Sequence, residues 1–351
     1  MKWDLFCRVV DNFGDVGVCW RLAADLAARG EQVRLWIDDA SALAWMAPHG
    51  ARGVEVRAWP QGDVDVEPFD VVIETFGCDP PAPFVARMAA RRPAPLWINL
   101  EYLSAEPYVE RSHGLPSPQS GGPGAGLLKW FFYPGFTAYT GGLIREQGLL
   151  QRRQAFDAAE WLRSRSIARR PGERVVSLFC YENPALPALL AALADTPTLL
   201  LATVGHASRQ VATALGASMA RGALRAVTLP HLSQLDFDHL LWSADLNLVR
   251  GEDSFVRAQW AGVPFLWHAS PQHDGAHQAK LDAFLTRHLD GASGAWAQRC
   301  RDLWLRWNGA AGQLQLPPLE PWRAHCQAWC DKLAAHQDLG TQLLSFAREK
   351  S

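Results

Sequence analysis

Two carboxylates four positions apart, Asp11 and Asp15, are the first residues of this chain whose types and spacing suit chemistry. They follow an apolar run, and the residues between them are Asn12, Phe13 and Gly14. A carboxylate pair at such a turn is compatible with a general base and its partner. The same side chains would also cap the helix that follows, and the full GxGxxG pattern of dinucleotide sites is absent. The residues alone leave the catalytic and the capping interpretations open.

A second polar set stands where another apolar run meets a helical pattern. Arg250 and Gly251 end the run, and the first turn of the helix holds Glu252, Asp253 and Ser254. The first N–H groups of a helix have no partner within the helix, and they attract anions. The pattern therefore predicts either a diphosphate held by these groups and the Ser254 hydroxyl, or ordinary capping by the three side chains.

Aromatic residues accompany this second set. Phe179 and Tyr181 end a strand-like run, and Gln234 and Phe237 lie in a later segment. Phe237 could stack on a nucleobase whose edge bonds to Gln234, and the Tyr181 hydroxyl could reach an anion; burial in the core is the equal alternative for such rings. Arg257, one turn into the following helix, is a second cation besides Arg250 that could balance an anion's charge.

Short apolar runs alternating with helical patterns must position these residues. In the first half the runs lie at 3–10, 33–37, 54–59, 69–74, 95–100 and 129–136, and in the second half at 173–181, 197–205, 224–232, 245–251 and 264–269. Such alternation predicts α/β domains with parallel sheets, whose ligands bind beyond the carboxyl ends of the strands. We expect two Rossmann-like domains facing a cleft, at 1–155 and 170–325, with the helices of 326–351 packing back. The Pro/Gly/Ser-rich stretch 104–126 is expected to be a long loop.

The composition argues against several classes of protein. The net charge is -2, with 34 basic against 36 acidic residues, so no basic footprint points to a nucleic-acid partner. No apolar run is long enough to span a membrane, and the first residues meet a charge too early for a signal peptide. Seven cysteines without paired spacing favour reduced, buried thiols in a cytoplasmic protein and no metal site. The histidines near the second set are expected at the surface or at helix ends; they are His206, His231, His268, His273 and His277.

Taken together, the segments DNFGDVGVCWRLA, LFCYEN, NLVRGEDSFVRAQWAG and PFLWH resemble the EarP family, the bacterial rhamnosyltransferases that modify elongation factor P. The resemblance spans nearly the whole chain. It implies a GT-B fold and an inverting transfer of L-rhamnose from dTDP-β-L-rhamnose to an arginine of elongation factor P, which gives an α-rhamnosyl-arginine needed for translating polyproline stretches. Separately, no acidic pair of the kind that binds a metal stands at a strand end, so we expect no metal or other cofactor.

Matched position by position, the resemblance makes Asp15 the general base and Asp11 the residue that orients the acceptor. The other positions are implied to bind the donor: Asn12, Phe13, Gly14, Phe179, Tyr181, Gln234, Phe237, Arg250, Glu252, Asp253 and Ser254. Gln234 and Phe237 would hold the thymine, and the last three would hold the ribose and diphosphate. Two alternatives stay open: a nucleotide-sugar epimerase of the same architecture, and a non-enzymatic nucleotide-sugar sensor in which the aspartates are only caps.

Overall fold

The computed structural model describes residues 1–10, 13–59, 65–270 and 275–350, and the chain divides into two compact units. The first unit comprises Met1–Gln147 and Leu333–Ser351, and the second comprises Gly148–Lys332. Three residues named above, Asp11, Asn12 and His273, lie outside the described residues.

The first unit is built on one twisted sheet. Its strands are β1 (Lys2–Cys7), β2 (Gln32–Ile37), β3 (Val54–Ala58), β4 (Val71–Thr75), β5 (Leu96–Leu100), β6 (Pro116–Pro118) and β7 (Leu128–Phe132). They run in the order β3-β2-β1-β4-β5-β7-β6, and all neighbours pair in parallel except β6 with β7. The order reverses between β1 and β4, and such a switch point is where open parallel sheets bind ligands.

The second unit repeats this plan. Its strands are β8 (Arg174–Leu178), β9 (Thr198–Ala202), β10 (Ala220–Arg221), β11 (Leu224–Thr228), β12 (Leu246–Arg250) and β13 (Phe265–His268). The order is β10-β11-β9-β8-β12-β13, with only the short β10 antiparallel among the described strands. Here the switch point lies between β8 and β12. Two doubly wound parallel sheets confirm the α/β prediction.

Helices cover the sheets. They are α1 (Phe13–Ala28), α2 (Leu43–Met46), α3 (Ala82–Ala90), α4 (Tyr108–Ser112), α5 (Leu149–Gln154), α6 (Ala158–Ser164), α7 (Leu186–Leu193), α8 (His206–Leu215), α9 (Gln234–Ser243), α10 (Glu252–Ala261), α11 (Ala276–His288), α12 (Ala295–Trp307), α13 (Leu319–Ala334) and α14 (Leu339–Lys350). Within the described ranges, none of them combines the length and the apolar character that crossing a bilayer requires.

The stretch 104–126 is not the long loop that its composition predicts. It contains α4, the edge strand β6 and a single 3-10 turn at Gly122–Gly124. Ser117 of β6 pairs with Lys129 of β7. Prolines are tolerated in this strand because an edge strand leaves one row of backbone groups without a ladder partner.

The first unit is completed by the end of the chain. Leu343 and Ala347 of α14 are fully buried in the core that also holds Trp3 and Leu22. Gly340 of α14 comes so close to α1 that a Cβ there would overlap the carboxylate of Asp25.

Candidate functional site

The residues predicted to bind an anion and a base meet at the switch point of the second sheet. Phe179 follows β8 directly, and Arg250 is the last residue of β12, which pairs with β8. Phe179 and Phe237 of α9 pack edge to face, with ring centroids 5.6 Å apart. In the sequence, Phe237 lies 58 positions after Phe179, and Arg250 lies 71 positions after it. The structure brings the three side chains together, as expected for residues that follow the carboxyl ends of neighbouring parallel strands.

Arg250 is the centre of this cluster. Its guanidinium carbon lies 4.6 Å from the ring centroid of Phe179 and 4.6 Å from that of Tyr181, and the side chain is only 5% exposed. A guanidinium over aromatic faces gains cation–π energy, which holds its plane in a defined orientation. The arrangement places a fixed positive charge beside the start of α10, where an anion is favoured by the helix dipole as well.

The turn from β12 into α10 is held by side-chain hydrogen bonds. Gly251 precedes the helix with φ 69°, a conformation that favours glycine. Its carbonyl accepts a hydrogen bond from the Trp267 indole at 3.1 Å. The buried Ser254 hydroxyl oxygen accepts from the Arg250 N–H at 3.1 Å and donates to the Arg250 carbonyl. The position before the helix is therefore a glycine without a capping side chain, and Ser254 bonds back to the end of β12.

The remaining donor candidates of the second unit lie on α9 and α10. Gln234 is buried and begins α9 after Ser233, whose hydroxyl accepts from the Asp236 N–H at 3.1 Å. Phe237 lies three positions further, so both residues share one face of the helix. Glu252 and Asp253 are half-buried in the first turn of α10.

Arg257 has a different place from the one that its sequence position suggested. It is 2% exposed, and its Nε and Nη2 donate to the Asp238 carboxylate at 2.8 and 2.7 Å. This bidentate pair joins α9 to α10. The guanidinium of Arg257 is therefore engaged by a buried carboxylate and helps to hold the two helices together, which differs from the role in balancing an anion's charge that its sequence position suggested.

His268 corrects a second expectation. Instead of lying at the surface or capping a helix, it is buried at the end of β13, opposite Arg250 in the β12–β13 register. Its ring packs edge to face on Tyr181, with centroids 5.3 Å apart, and lies 5.7 Å from the ring of Trp307. Burial and the charge of Arg250 lower the pKa of His268 to about 4, so the ring is neutral near pH 7. Only the packing of α12 against β13 reveals this position.

In the first unit, Asp15 is at the switch point of its sheet. It lies in the first turn of α1, is 3% exposed, and its Oδ2 accepts the Val10 N–H at 2.8 Å. Phe13 and Gly14 belong to the same helical turn, because α1 already begins at Phe13.

All seven cysteines are buried, as predicted, and none of them forms a disulfide. Cys7 and Cys19 flank Asp15, and burial together with their mutual interaction raises the pKa of the Cys7 thiol far above its usual range. A protonated thiol is a weak nucleophile, so we assign no catalytic part to these cysteines. Within the described residues, no group of three or more His, Cys, Asp or Glu side chains is placed to hold a metal ion.

A family model described as "Elongation-Factor P (EF-P) rhamnosyltransferase EarP" matches residues 3–348. This chain belongs to the EarP family. EarP-family membership makes it an enzyme of the glycosyltransferase class, and it agrees with the resemblance found in the sequence motifs.

Curated relatives and solved structures agree with the EarP assignment. The chain is 46% identical to a protein-arginine rhamnosyltransferase of Pseudomonas aeruginosa, with 98% of each chain covered. It is 47% identical to the enzyme of the same name from Pseudomonas putida, with 99% of this chain and 98% of the relative covered. A solved structure on EarP-mediated arginine glycosylation of translation elongation factor EF-P matches with a TM-score of 0.72 and 33% identity over 100% of this chain and 99% of that one.

More distant structures resemble this EarP-family chain in fold alone. The spinosyn rhamnosyltransferase SpnG matches with a TM-score of 0.54 and 13% identity over 99% of this chain and 100% of that one. SpnG and the other structural neighbours are GT-B glycosyltransferases, which confirms the predicted GT-B fold.

Proposed function

We propose that this enzyme transfers L-rhamnose from dTDP-β-L-rhamnose to the guanidinium of an arginine in elongation factor P, with inversion at the anomeric carbon. The names of the Pseudomonas relatives and the solved EarP structure support the sugar and the acceptor. The observation that carries the proposal is the Arg250 cluster at the switch point of the second sheet, because it offers a nucleoside diphosphate its rings, its cation and a helix N-terminus at one edge.

We assign the binding of the donor dTDP-β-L-rhamnose to the second unit. Phe237 stacks on the thymine and Gln234 bonds its edge, while Glu252 and Asp253 contact the ribose and diphosphate from the first turn of α10. Arg250 and the N–H groups of that turn balance the diphosphate charge as the sugar leaves. Ser254 keeps the Arg250 backbone in place through its two hydrogen bonds.

In the first unit, we assign acceptor activation to Asp15 as the general base, and we keep Asp11, which lies outside the described residues, as the residue that orients the acceptor. A guanidinium has a pKa above about 12, and a carboxylate of ordinary pKa near 4 cannot remove its proton in advance. The carboxylates therefore orient the planar group and localise its charge. As the Nη–C1 bond forms and the C1–O bond to the diphosphate breaks, the Nη proton passes to Asp15. Attack opposite the β-linked leaving group gives an α-linked product.

Mass spectrometry of elongation factor P tests the function. Incubation with dTDP-β-L-rhamnose should add the mass of one deoxyhexose minus one water to a single arginine. An unmodified acceptor would refute the transfer. Incubation with the donor alone separates the alternative, because an epimerase would convert the sugar without any protein acceptor.

The general-base assignment has its own test. Asp15→Asn keeps the size and the acceptor for the Val10 N–H but lacks the negative charge, so transfer should fall below detection while calorimetric affinity for the donor is retained. Turnover close to that of the wild type would refute the assignment. Addition of a chelator should leave the wild-type rate unchanged, because we assign the leaving-group charge to Arg250 and α10; a rate lost to chelation and restored by a divalent cation would contradict that assignment.

A further inference from the structure

A stacked aromatic pair lies at the same sheet edge as Asp15. Phe76 follows β4 and Tyr102 follows β5, and their rings are parallel within 7° with centroids 4.1 Å apart. Tyr102 is 37% exposed, whereas Phe76 is half-buried against the core of the first unit. Phe76 therefore forms the support, and Tyr102 is the ring that meets solvent.

The pair is held rigidly although its backbone is strained. Phe76 has φ 59°, in the left-handed region that few residues with a side chain adopt. Its N–H donates to the Leu100 carbonyl at 2.7 Å, and the next N–H, that of Gly77, donates to the Asn99 side chain at 3.1 Å. Two hydrogen bonds to β5 thus fix the ring of Phe76 under Tyr102.

A short chain of contacts connects the pair to the proposed general base. Cys19 lies one helical turn after Asp15 in α1, and its Sγ is 3.3 Å from the Thr75 hydroxyl. Thr75 ends β4 and immediately precedes Phe76. The ring pair is therefore beside the switch point of the first sheet, within the unit that carries Asp15.

Two carboxylates, those of Glu101 and Glu106, belong to the segment that follows β5 and carries Tyr102. Glu101 precedes Tyr102 and accepts the Asn99 amide at 2.8 Å. The Ser104 hydroxyl donates to the Glu106 carboxylate at 2.9 Å. Burial, followed by the charges of Glu106 and Glu101, raises the pKa of Tyr108. Aromatic faces combined with carboxylates attract a guanidinium, which is planar, always charged and weakly hydrated. A lysine ammonium fits such a surface less well.

We propose that Tyr102, supported by Phe76, is a positioning residue that holds the acceptor's target arginine by stacking on its guanidinium. This inference rests on the proposed function, since it names the group that the acceptor presents to Asp15. The ring fixes the plane of the guanidinium, and the carboxylates of Glu101 and Glu106 favour its charge. The platform selects arginine over lysine.

Steady-state kinetics with elongation factor P as varied substrate test the inference. Tyr102→Leu should raise the acceptor KM about 5- to 20-fold, in the range of one cation–π contact, while Tyr102→Phe should stay within about two-fold of the wild type. The matched control is Tyr139→Leu. Tyr139 is 74% exposed in the same unit and lies outside the stacked pair, so its replacement should change neither kcat nor the acceptor KM.

Three further measurements complete the test. Calorimetry should give the same donor affinity for Tyr102→Leu and the wild type. An acceptor whose target arginine is replaced by lysine should bind the wild type more weakly than the native acceptor does, and this difference in affinity should be smaller for Tyr102→Leu. The melting temperature of the variant should match that of the wild type.

The inference is overturned by an unchanged acceptor KM in Tyr102→Leu, or by an equal effect in Tyr139→Leu. It is also overturned if Tyr102→Leu loses donor affinity or melting temperature, because the ring would then support the fold instead of the acceptor. If the wild type itself leaves elongation factor P unmodified, the proposed function fails first. If the wild type modifies elongation factor P and Tyr102→Leu has the same acceptor KM, this inference is refuted while the proposed function stands.

Discussion

Two buried arginines lie seven positions apart, Arg250 and Arg257. The same substitution should mainly weaken donor binding at Arg250 and mainly lower the free energy of unfolding at Arg257. Arg250 contacts two aromatic rings, whereas Arg257 is paired with the Asp238 carboxylate at 2.7 Å. Replacement by methionine keeps a long apolar stem in both cases and removes the charge. The comparison therefore separates a ligand-binding cation from a structural one within a single helix–strand junction.

For Arg250→Met, we expect the loss to appear in donor binding. A hydrogen bond to a charged group contributes about 1.5–3 kcal/mol, which predicts a rise in the donor Kd of about 10- to 150-fold. The ring contacts exist without the donor, so their loss lowers the free energy of unfolding by only about 1–2 kcal/mol. Isothermal titration with dTDP and urea unfolding measure the two quantities separately.

For Arg257→Met, the loss should appear in stability. Removing one partner of a buried ion pair leaves the Asp238 carboxylate without compensation, at a cost of about 3–5 kcal/mol in the free energy of unfolding. The double variant Asp238→Leu with Arg257→Met serves as the control and should recover much of that stability. A donor affinity of Arg250→Met within two-fold of the wild type, or equal stability losses in both single variants, would refute the division of roles.

Three other predictions concern packing, pH and stacking. Gly340→Ala should lower the free energy of unfolding by about 1–3 kcal/mol, because its Cβ would overlap the Asp25 carboxylate, whereas Gly121→Ala, whose Cβ meets nothing within 4 Å, should not; equal midpoints in urea would contradict this. Burial lowers the pKa of His288 to about 3, so the folded chain keeps it neutral while the unfolded chain takes up a proton below pH 6.5. The free energy of unfolding therefore falls as the pH falls, and this group accounts for about 2 kcal/mol of the decrease at pH 5. The variant His288→Phe should lack this contribution, so its free energy of unfolding should depend less on pH. Phe237→Ala should weaken donor binding by about 1–3 kcal/mol, and an unchanged calorimetric Kd would show that its ring does not stack on the base.

The sequence predicted the strands well and the irregular segments poorly. The run at 33–37 corresponds to β2 (Gln32–Ile37), because buried parallel strands are short apolar runs in any context. The start of α1 at Phe13 was missed, since Gly14 and Gly17 have low helix propensity and conceal its first turns. Within 104–126, β6 exists because it pairs with β7, and Pro/Gly-rich composition does not show such pairing.

The donor candidates were predictable as a group but not in their individual contacts. Their positions after strands placed Phe179 and Arg250 at a carboxyl edge. The partner of Arg257 could not be predicted, because Asp238 lies on another helix and is one of many acidic residues. His268 was missed for a related reason: its burial depends on Trp307 of α12, 39 positions later.

The sequence by itself determined the alternation of strands and helices, hence two parallel sheets, and the residues that stand at their carboxyl ends. It also carried the motifs that place the chain in the EarP family. Only the tertiary structure decided which of these residues meet: Arg250 with Phe179 and Tyr181, and Phe76 with Tyr102. The physical reason is strand order, because β8 beside β12 and β4 beside β5 are pairings between segments far apart in the chain, and local propensity contains no information about them.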